Sequence, residues 1–264
     1  MHIVDSHCHL DDERLFENLS DILARAENAD IKTLQTICTR RQDFPIIKNI
    51  AEQYENIYCS FGIHPHHADE DIITEDEIKT ACQHAKVIGV GETGLDYYYE
   101  NSPKKEQRES FIKHIRAARA LDLPVIIHTR DAEEDTMAIM DDMRAEGSFK
   151  ALFHCFSSSM SLAEYGIENG VYFSASGIVT FKKSYELQEV FKRVPDEKIM
   201  VETDAPYLAP VPKRGKTCEP AYTAYTAQFI ADLRGQTLEN FAKITTTNFY
   251  RLFSKARNPL ISSE

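Results

Sequence analysis

Eight short apolar runs, separated by amphipathic stretches, constrain this chain more than any other feature. They lie at 2–9 (HIVDSHCH), 32–38 (KTLQTIC), 57–64 (IYCSFGIH), 86–92 (KVIGVGE), 124–130 (PVIIHTR), 150–156 (KALFHCF), 171–177 (VYFSASG) and 198–204 (KIMVETD). Near-continuous apolar character over this length is what a strand covered on both faces requires, because neither face meets water. Between the runs, segments such as 19–29, 44–54, 104–122, 136–147 and 185–194 repeat apolar residues at three-to-four spacing and predict helices. Eight strand-then-helix units in 264 residues describe a single (β/α)8 TIM barrel, although no residue-level repeat marks them. No Gly/Ser or Pro linker divides the chain, so 1–256 is drawn as one barrel domain and 257–264 as a frayed tail.

Composition narrows the function. With 42% hydrophobic residues the chain can bury a full core, and 42 acidic against 30 basic residues give a net charge of −12. That balance excludes coating nucleic acid or anionic membrane through bulk positive charge, but not a local grip on a strand end. No apolar run reaches the length of a membrane span and MHIVDSHCHL lacks a signal-peptide pattern, so a soluble, cytoplasmic protein with no membrane partner is expected. The six cysteines form no CxxC pair and read as reduced packing groups.

In such a barrel the chemistry lies at the carboxyl ends of the strands. His7 and His9 close the first run, His64 the third, Glu92 the fourth, His128 the fifth, His154 the sixth and Asp204 the eighth. Singly, each has an ordinary explanation: an incidental HxH, a satisfied core histidine, a turn at Asp-Ala-Pro. Gathered at one end of one barrel, they would be separate buried polar groups, each with its own desolvation cost, unless a cation is their common partner. His7 and His9, at i and i+2 on a strand, share a face.

With His64 set aside for substrate, the six remaining donors exceed the need of one catalytic ion, so two divalent ions (Mg, Mn or Zn) are expected. The first is placed on His7, His9 and Asp204, the second on His128 and His154, with Glu92 bridging, since GETGLD offers no lysine for that role. Two adjacent ions lower the pKa of a shared water and neutralise charge in an in-line displacement, with Asp204 as proton acceptor and Glu92 as the second catalytic carboxylate. Asp5 and Glu202, each two residues before a ligand, suit acceptors that orient ligand imidazoles from one layer deeper, or serve only the barrel interior.

Arg130 follows His128 by two and suits a phosphate oxygen, or else an ion pair with Asp131 or Glu133. His64 reads as a phosphate contact or leaving-group acid, His66 and His67 as solvated loop residues, and His2, His84 and His114 as surface positions. Lys213, Arg214 and Lys216, with Lys182 and Lys183, form a local basic patch, and Tyr97, Tyr98, Tyr99 and Phe181 either stack bases or pack. Gly89, Gly91 and Gly94 read as GxGxxG, but about a dozen residues delay the next helix, so no nucleotide cofactor is expected and the glycines fit close packing around Glu92. Serine-hydrolase, zincin and P-loop motifs are absent from the sequence.

The motifs VDSHCHLD (4–11), GIHPH (62–66), GETGLDYYY (91–99), Gln107 to Phe111, PVIIHTRDA (124–132), HCFS (154–157), SGIVTF (176–181), VETDAPYLAPVPKRGK (201–216) and TTNFYRLF (246–253) resemble the TatD-type metal-dependent hydrolases of the amidohydrolase superfamily. The resemblance implies a (β/α)8 barrel, a dinuclear centre and metal-dependent deoxyribonuclease activity, removing nucleotides from the 3′ end of DNA with single strands favoured. It places ligands at His7, His9, Glu92, His128, His154 and Asp204, and substrate contacts at His64, Arg130 and Arg214. One departure is Cys218, where the family pattern has Asn after RGK. Barrels with such a site cleave several kinds of bond. A hydrolase of carboxylic ester or amide bonds, such as an aminoacyl-tRNA deacylase, and a metal-binding scaffold without turnover therefore stay open.

Overall fold

A computed structural model describes residues 1–259 of the chain. The eight apolar runs form β1 (Ile3–Cys8), β2 (Ile31–Thr36), β3 (Ile57–Phe61), β4 (Val87–Asp96), β5 (Val125–Arg130), β6 (Ala151–Phe153), β7 (Tyr172–Ala175) and β8 (Ile199–Val201). They lie side by side in chain order, each pairing in parallel with the next. The ring closes between β8 and β1 through a parallel bridge from Cys8 to Ala205, with Asp204 N–H donating to His7 O (2.9 Å) and His9 N–H to Ala205 O (2.7 Å). This is the (β/α)8 TIM barrel that the alternation predicts.

Strand alternation divides the apolar side chains into two layers. Val4, Tyr58, Ile88, Ile126, Leu152, Tyr172 and Met200 fill the amino-terminal half of the barrel interior, where Phe249, Tyr250, Leu252 and Phe253 plug it. Their neighbours Ile3, Ile57, Val87, Val125, Ala151, Phe173 and Ile199 face outward under the helices. The closing helix, Leu238–Leu252, is capped by the Thr237 side chain, which accepts from Asn240 N–H at 3.2 Å. The plug leaves the carboxyl end of the barrel as the open one. Of the tail expected to fray from 257, residues 260–264 lie outside the described residues, while Arg257 donates its N–H to Tyr58 Oη at 3.0 Å. Among the described residues no helix is long and apolar enough to cross a membrane.

His114 corrects the expectation of a surface histidine. It sits fully buried on the helix Lys104–Leu121, in the same stripe as Gln107, Phe111 and Ala118. Its Nδ1–H donates to Ser110 O (2.7 Å), and its Nε2 accepts Ile63 N–H (3.1 Å), so both ring nitrogens are spent in the neutral form. Burial pushes its pKa down from 6.5 to about 4. The unfolded chain therefore binds a proton between those values that the folded chain refuses, and stability is lost as pH falls from 6.5 toward 4. Shifted by that much, His114 accounts for about 3 kcal/mol of acid destabilisation. His114→Gln should remove this part, so urea unfolding of wild type and variant from pH 7 to pH 4 should show their stability difference shrinking by about that amount. A difference independent of pH would refute the assignment.

Candidate metal centre

The ligand candidates meet at the open end. Glu92 is their hub, and β4 does not stop at the expected residue 92 but, after a register shift between Val90 and Thr93, continues to Asp96, pairing Thr93 to Asp96 with Ile127 to Arg130. Close approach of the backbones allows this. A Cβ on Gly62 would meet Gly91 C at 2.6 Å, and one on Gly91 would meet Ile126 O at 2.6 Å, so Gly91 of the GxGxxG run serves close packing beside Glu92, while Gly89 packs against Phe253.

Glu92 is buried, and its two oxygens face different groups. Oε2 lies 3.3 Å from His7 Nε2, while Oε1 lies 2.8 Å from His154 Nε2, 3.0 Å from His128 Nδ1 and 3.3 Å from His64 Nε2. On the other side, Asp204 Oδ1 stands 3.3 Å from His9 Nε2 and 3.6 Å from His7 Nε2. Asp204 is carried there by a tight turn in which Tyr207 N–H donates to its carbonyl (2.9 Å) and its own φ is +57°. His7 and His154 stack face to face, their centroids 3.9 Å apart.

Three sets have donor atoms within 4.8 Å of one another: His7, His9 and Asp204; His64, Glu92 and His128; and His7, His154 and Glu202. Both ring nitrogens of His7 and of His154, and both oxygens of Glu202, are buried with no aligned hydrogen-bond partner among the described residues. Leaving such groups unsatisfied costs about 1–3 kcal/mol each. Imidazoles and carboxylates crowded to contact distance without hydrogen-bond alignment fit a cation as their common partner.

Charge follows the same geometry. Burial works against ionisation of Glu92, but His154, His64 and His128 outweigh it and hold the carboxyl well below its ordinary value. Asp204 is partly buried, which opposes its ionisation, but His9 and His7 outweigh this and lower it. Burial of His9 is overcome by Asp204, which raises the imidazole to about 9. For His154, burial is overcome by Glu92 and Glu202. His7, deepest in the stack, is lowered by burial and by neighbouring His154.

The two deeper carboxylates behave differently. Glu202 Oε1 stands 3.4 Å from His154 Nδ1. Asp5 reaches no imidazole: it accepts Thr203 N–H (2.9 Å), Thr203 Oγ1–H (2.6 Å) and the backbone N–H of His7 (3.3 Å). It thus ties β1 to the segment after β8 and fixes the His7 main chain. His64 Nδ1 accepts His66 N–H at 3.1 Å, which leaves the proton on Nε2, the nitrogen facing Glu92. A proton there makes His64 a donor into the site.

At the rim, Arg130 pairs with neither Asp131 nor Glu133 among the described residues. Its guanidinium lies 4.1 Å from the Tyr98 ring centroid and 4.7 Å from that of Tyr99, and both rings are more than half exposed, at 57% and 53%. Arg214 lies 4.3 Å over Phe181. Tyr97 instead donates its hydroxyl to Asp135 (2.6 Å) and packs. Cys218 is buried with its N–H on Pro206 O (3.0 Å), an apolar group under the final loop. His66, expected in solvent, is held by Asp96 at 2.8 Å. Asp96 escaped the sequence reading: it ends β4 four residues after Glu92, buried, and contacts His128 Nε2 at 3.1 Å.

A family model described as TatD related DNase matches residues 4–254. An uncharacterized metal-dependent hydrolase, YcfH, of Escherichia coli K12 is 41% identical over 256 residues, covering 96% of each chain. A protein of Shigella flexneri named as the 3′-5′ ssDNA/RNA exonuclease TatD is 30% identical over 260 residues, covering 96% of this chain and 99% of its own. The crystal structure of YjjV, a TatD homologue from Escherichia coli K12, superposes with a TM-score of 0.86 at 25% identity, covering 96% of this chain and 98% of that one. With barrel, donor set and relatives in agreement, the chain belongs to the TatD-related family of metal-dependent hydrolases.

Proposed function

We propose that this protein is a metal-dependent deoxyribonuclease that shortens single-stranded DNA from its 3′ end. The observation that carries the reading is the placement of Glu92, one oxygen toward His7 and the other toward His128 and His154. His7, His9 and Asp204 would hold one divalent ion, His128 and His154 a second, and Glu92 would bridge them. Bound there, such ions acidify water and screen the charge that builds on a phosphoryl group. Imidazole donors favour manganese or zinc for affinity, while magnesium can serve when abundant.

The chain's own residues supply the rest. Arg130 and Arg214 carry no competing carboxylate among the described residues, so their guanidinium groups are free to hold phosphate oxygens. The exposed Tyr98 and Tyr99 rings beside Arg130 offer faces to unstacked bases. His64, neutral with its one ring proton on Nε2, offers that N–H as a hydrogen-bond donor to a phosphate oxygen, while Asp204, kept ionised by His9 and His7, accepts the proton of the attacking water and returns it to the departing oxygen. The Shigella flexneri relative's name agrees with this substrate class.

The test is an end-labelled single-stranded oligonucleotide with either terminus blocked, incubated with magnesium, manganese or zinc. Metal-dependent shortening that a 3′ block stops is expected. Turnover of an aminoacyl or simple carboxylic ester with intact DNA would sink the reading in favour of a deacylase, and tight ion binding without turnover would favour a scaffold. Arg130→Ala should raise KM for the oligonucleotide about tenfold, the worth of one charge-assisted hydrogen bond, and leave p-nitrophenyl acetate hydrolysis unchanged. Equal losses on both substrates would show that Arg130 does not meet phosphate.

A further inference from the structure

Asp96 is a buried carboxylate beside the metal centre to which the proposed function gives no role. Four donors converge on it. Its Oδ2 lies 2.8 Å from His66 Nε2 and 3.1 Å from His128 Nε2, and its Oδ1 accepts the N–H groups of Tyr98 and Tyr99, both at 3.0 Å. Its own backbone is clamped by Gln107, which accepts Asp96 N–H (2.8 Å) and donates to Asp96 O (3.1 Å). A carboxylate surrounded only by donors and held from behind is a fixed acceptor.

Two things follow from where it points. With Nε2 turned to Asp96, the His128 ring presents Nδ1 to Glu92 Oε1 at 3.0 Å. Across the β4–β5 ladder Asp96 is also the register partner of Arg130, whose carbonyl accepts Tyr97 N–H at 2.9 Å. The turn that Asp96 caps with Oδ1 therefore carries the two rings that flank the Arg130 guanidinium.

We propose that Asp96 is a positioning residue that serves both halves of the site: Oδ2 locks His128 with Nδ1 turned to Glu92, and Oδ1 holds the Tyr98–Tyr99 turn around Arg130. The proposal rests on the dinuclear reading above. Carboxylates that receive the second proton of a ligand imidazole set its tautomer and direction, and their loss weakens ion binding roughly 10–100-fold.

Asp96→Asn separates the two halves. The amide oxygen can still accept from Tyr98 and Tyr99, while its NH2 faces the imidazoles as donor against donor. Chelator-stripped wild type and variant would be titrated with Mn2+ by calorimetry. One of two binding steps should weaken roughly 10–100-fold in the variant, with the melting temperature moved by no more than a few degrees. Superimposable isotherms would overturn the role of Asp96 alone, whereas no ion uptake by wild type would overturn the dinuclear reading with it. Should the variant not fold, the imidazole nitrogens of Zn2+-loaded wild type can be read by NMR. Nδ1 metallated with Nε2 protonated supports the assignment, and the reverse overturns it.

Discussion

Glu92→Gln is expected to lower metal-dependent hydrolysis by on the order of 10³-fold or more, about 4 kcal/mol of transition-state stabilisation, with the circular dichroism of the fold unchanged. Glutamine fills the same space, so the barrel keeps its packing. It is neutral, however, and one of its two terminal atoms becomes a donor, so it cannot face His7 on one side and His128 and His154 on the other as an acceptor at both. Divalent-ion uptake should fall with activity, which a titration of the stripped variant would show. A variant that binds ions as wild type does and retains more than about a tenth of the rate would remove Glu92 from the bridging role.

Gly94→Ala is expected to cost about 3 kcal/mol of stability or more, through backbone collision rather than lost chemistry. Gly94 has φ +138° and is the register partner of His128, so an added Cβ would run into the His128 carbonyl oxygen and stand 3.0 Å from its carbonyl carbon. Relief requires β4 and β5 to separate, which drags the His128 ring from Glu92. Gly235→Ala is the matched control: φ is +64° there, but nothing lies within 4 Å of the new methyl, so only local strain of about 1 kcal/mol is incurred. Denaturant unfolding of both variants decides the matter. Equal midpoints would show that the β4–β5 approach is softer than its geometry indicates.

The strands were legible because burial on both faces leaves near-continuous apolar runs, and the strand-end position of His7, His9, His64, Glu92, His128, His154 and Asp204 followed from that alone. What sequence could not show depends on contacts between distant segments. Asp96 carried no signal of its own, since the continuation of β4 beyond Glu92 comes from pairing with β5 and leaves no hydrophobic period. His114 was legible in principle, because its spacing from Gln107, Phe111 and Ala118 puts it on the buried face, but its polarity pulled the reading outward. His66 was misplaced for want of its partner, Asp96. Asp5 and Glu202 stand at equivalent offsets before a ligand, yet one stitches backbone and the other faces His154, a distinction set by which neighbour each strand meets.

The tie between Asp5 and Thr203 has a wider consequence. The first and last staves of the barrel each bring part of one donor set, so that set spans the joint where the hoop closes. Asp5, and Ser6 Oγ on Val201 O (3.1 Å), fasten that joint from beneath with groups that are not themselves ligands. The shape of the socket thus rests on ties that no cation supplies, so stripping divalent ions with a chelator is expected to stop metal-dependent hydrolysis while the circular dichroism of the barrel stays unchanged.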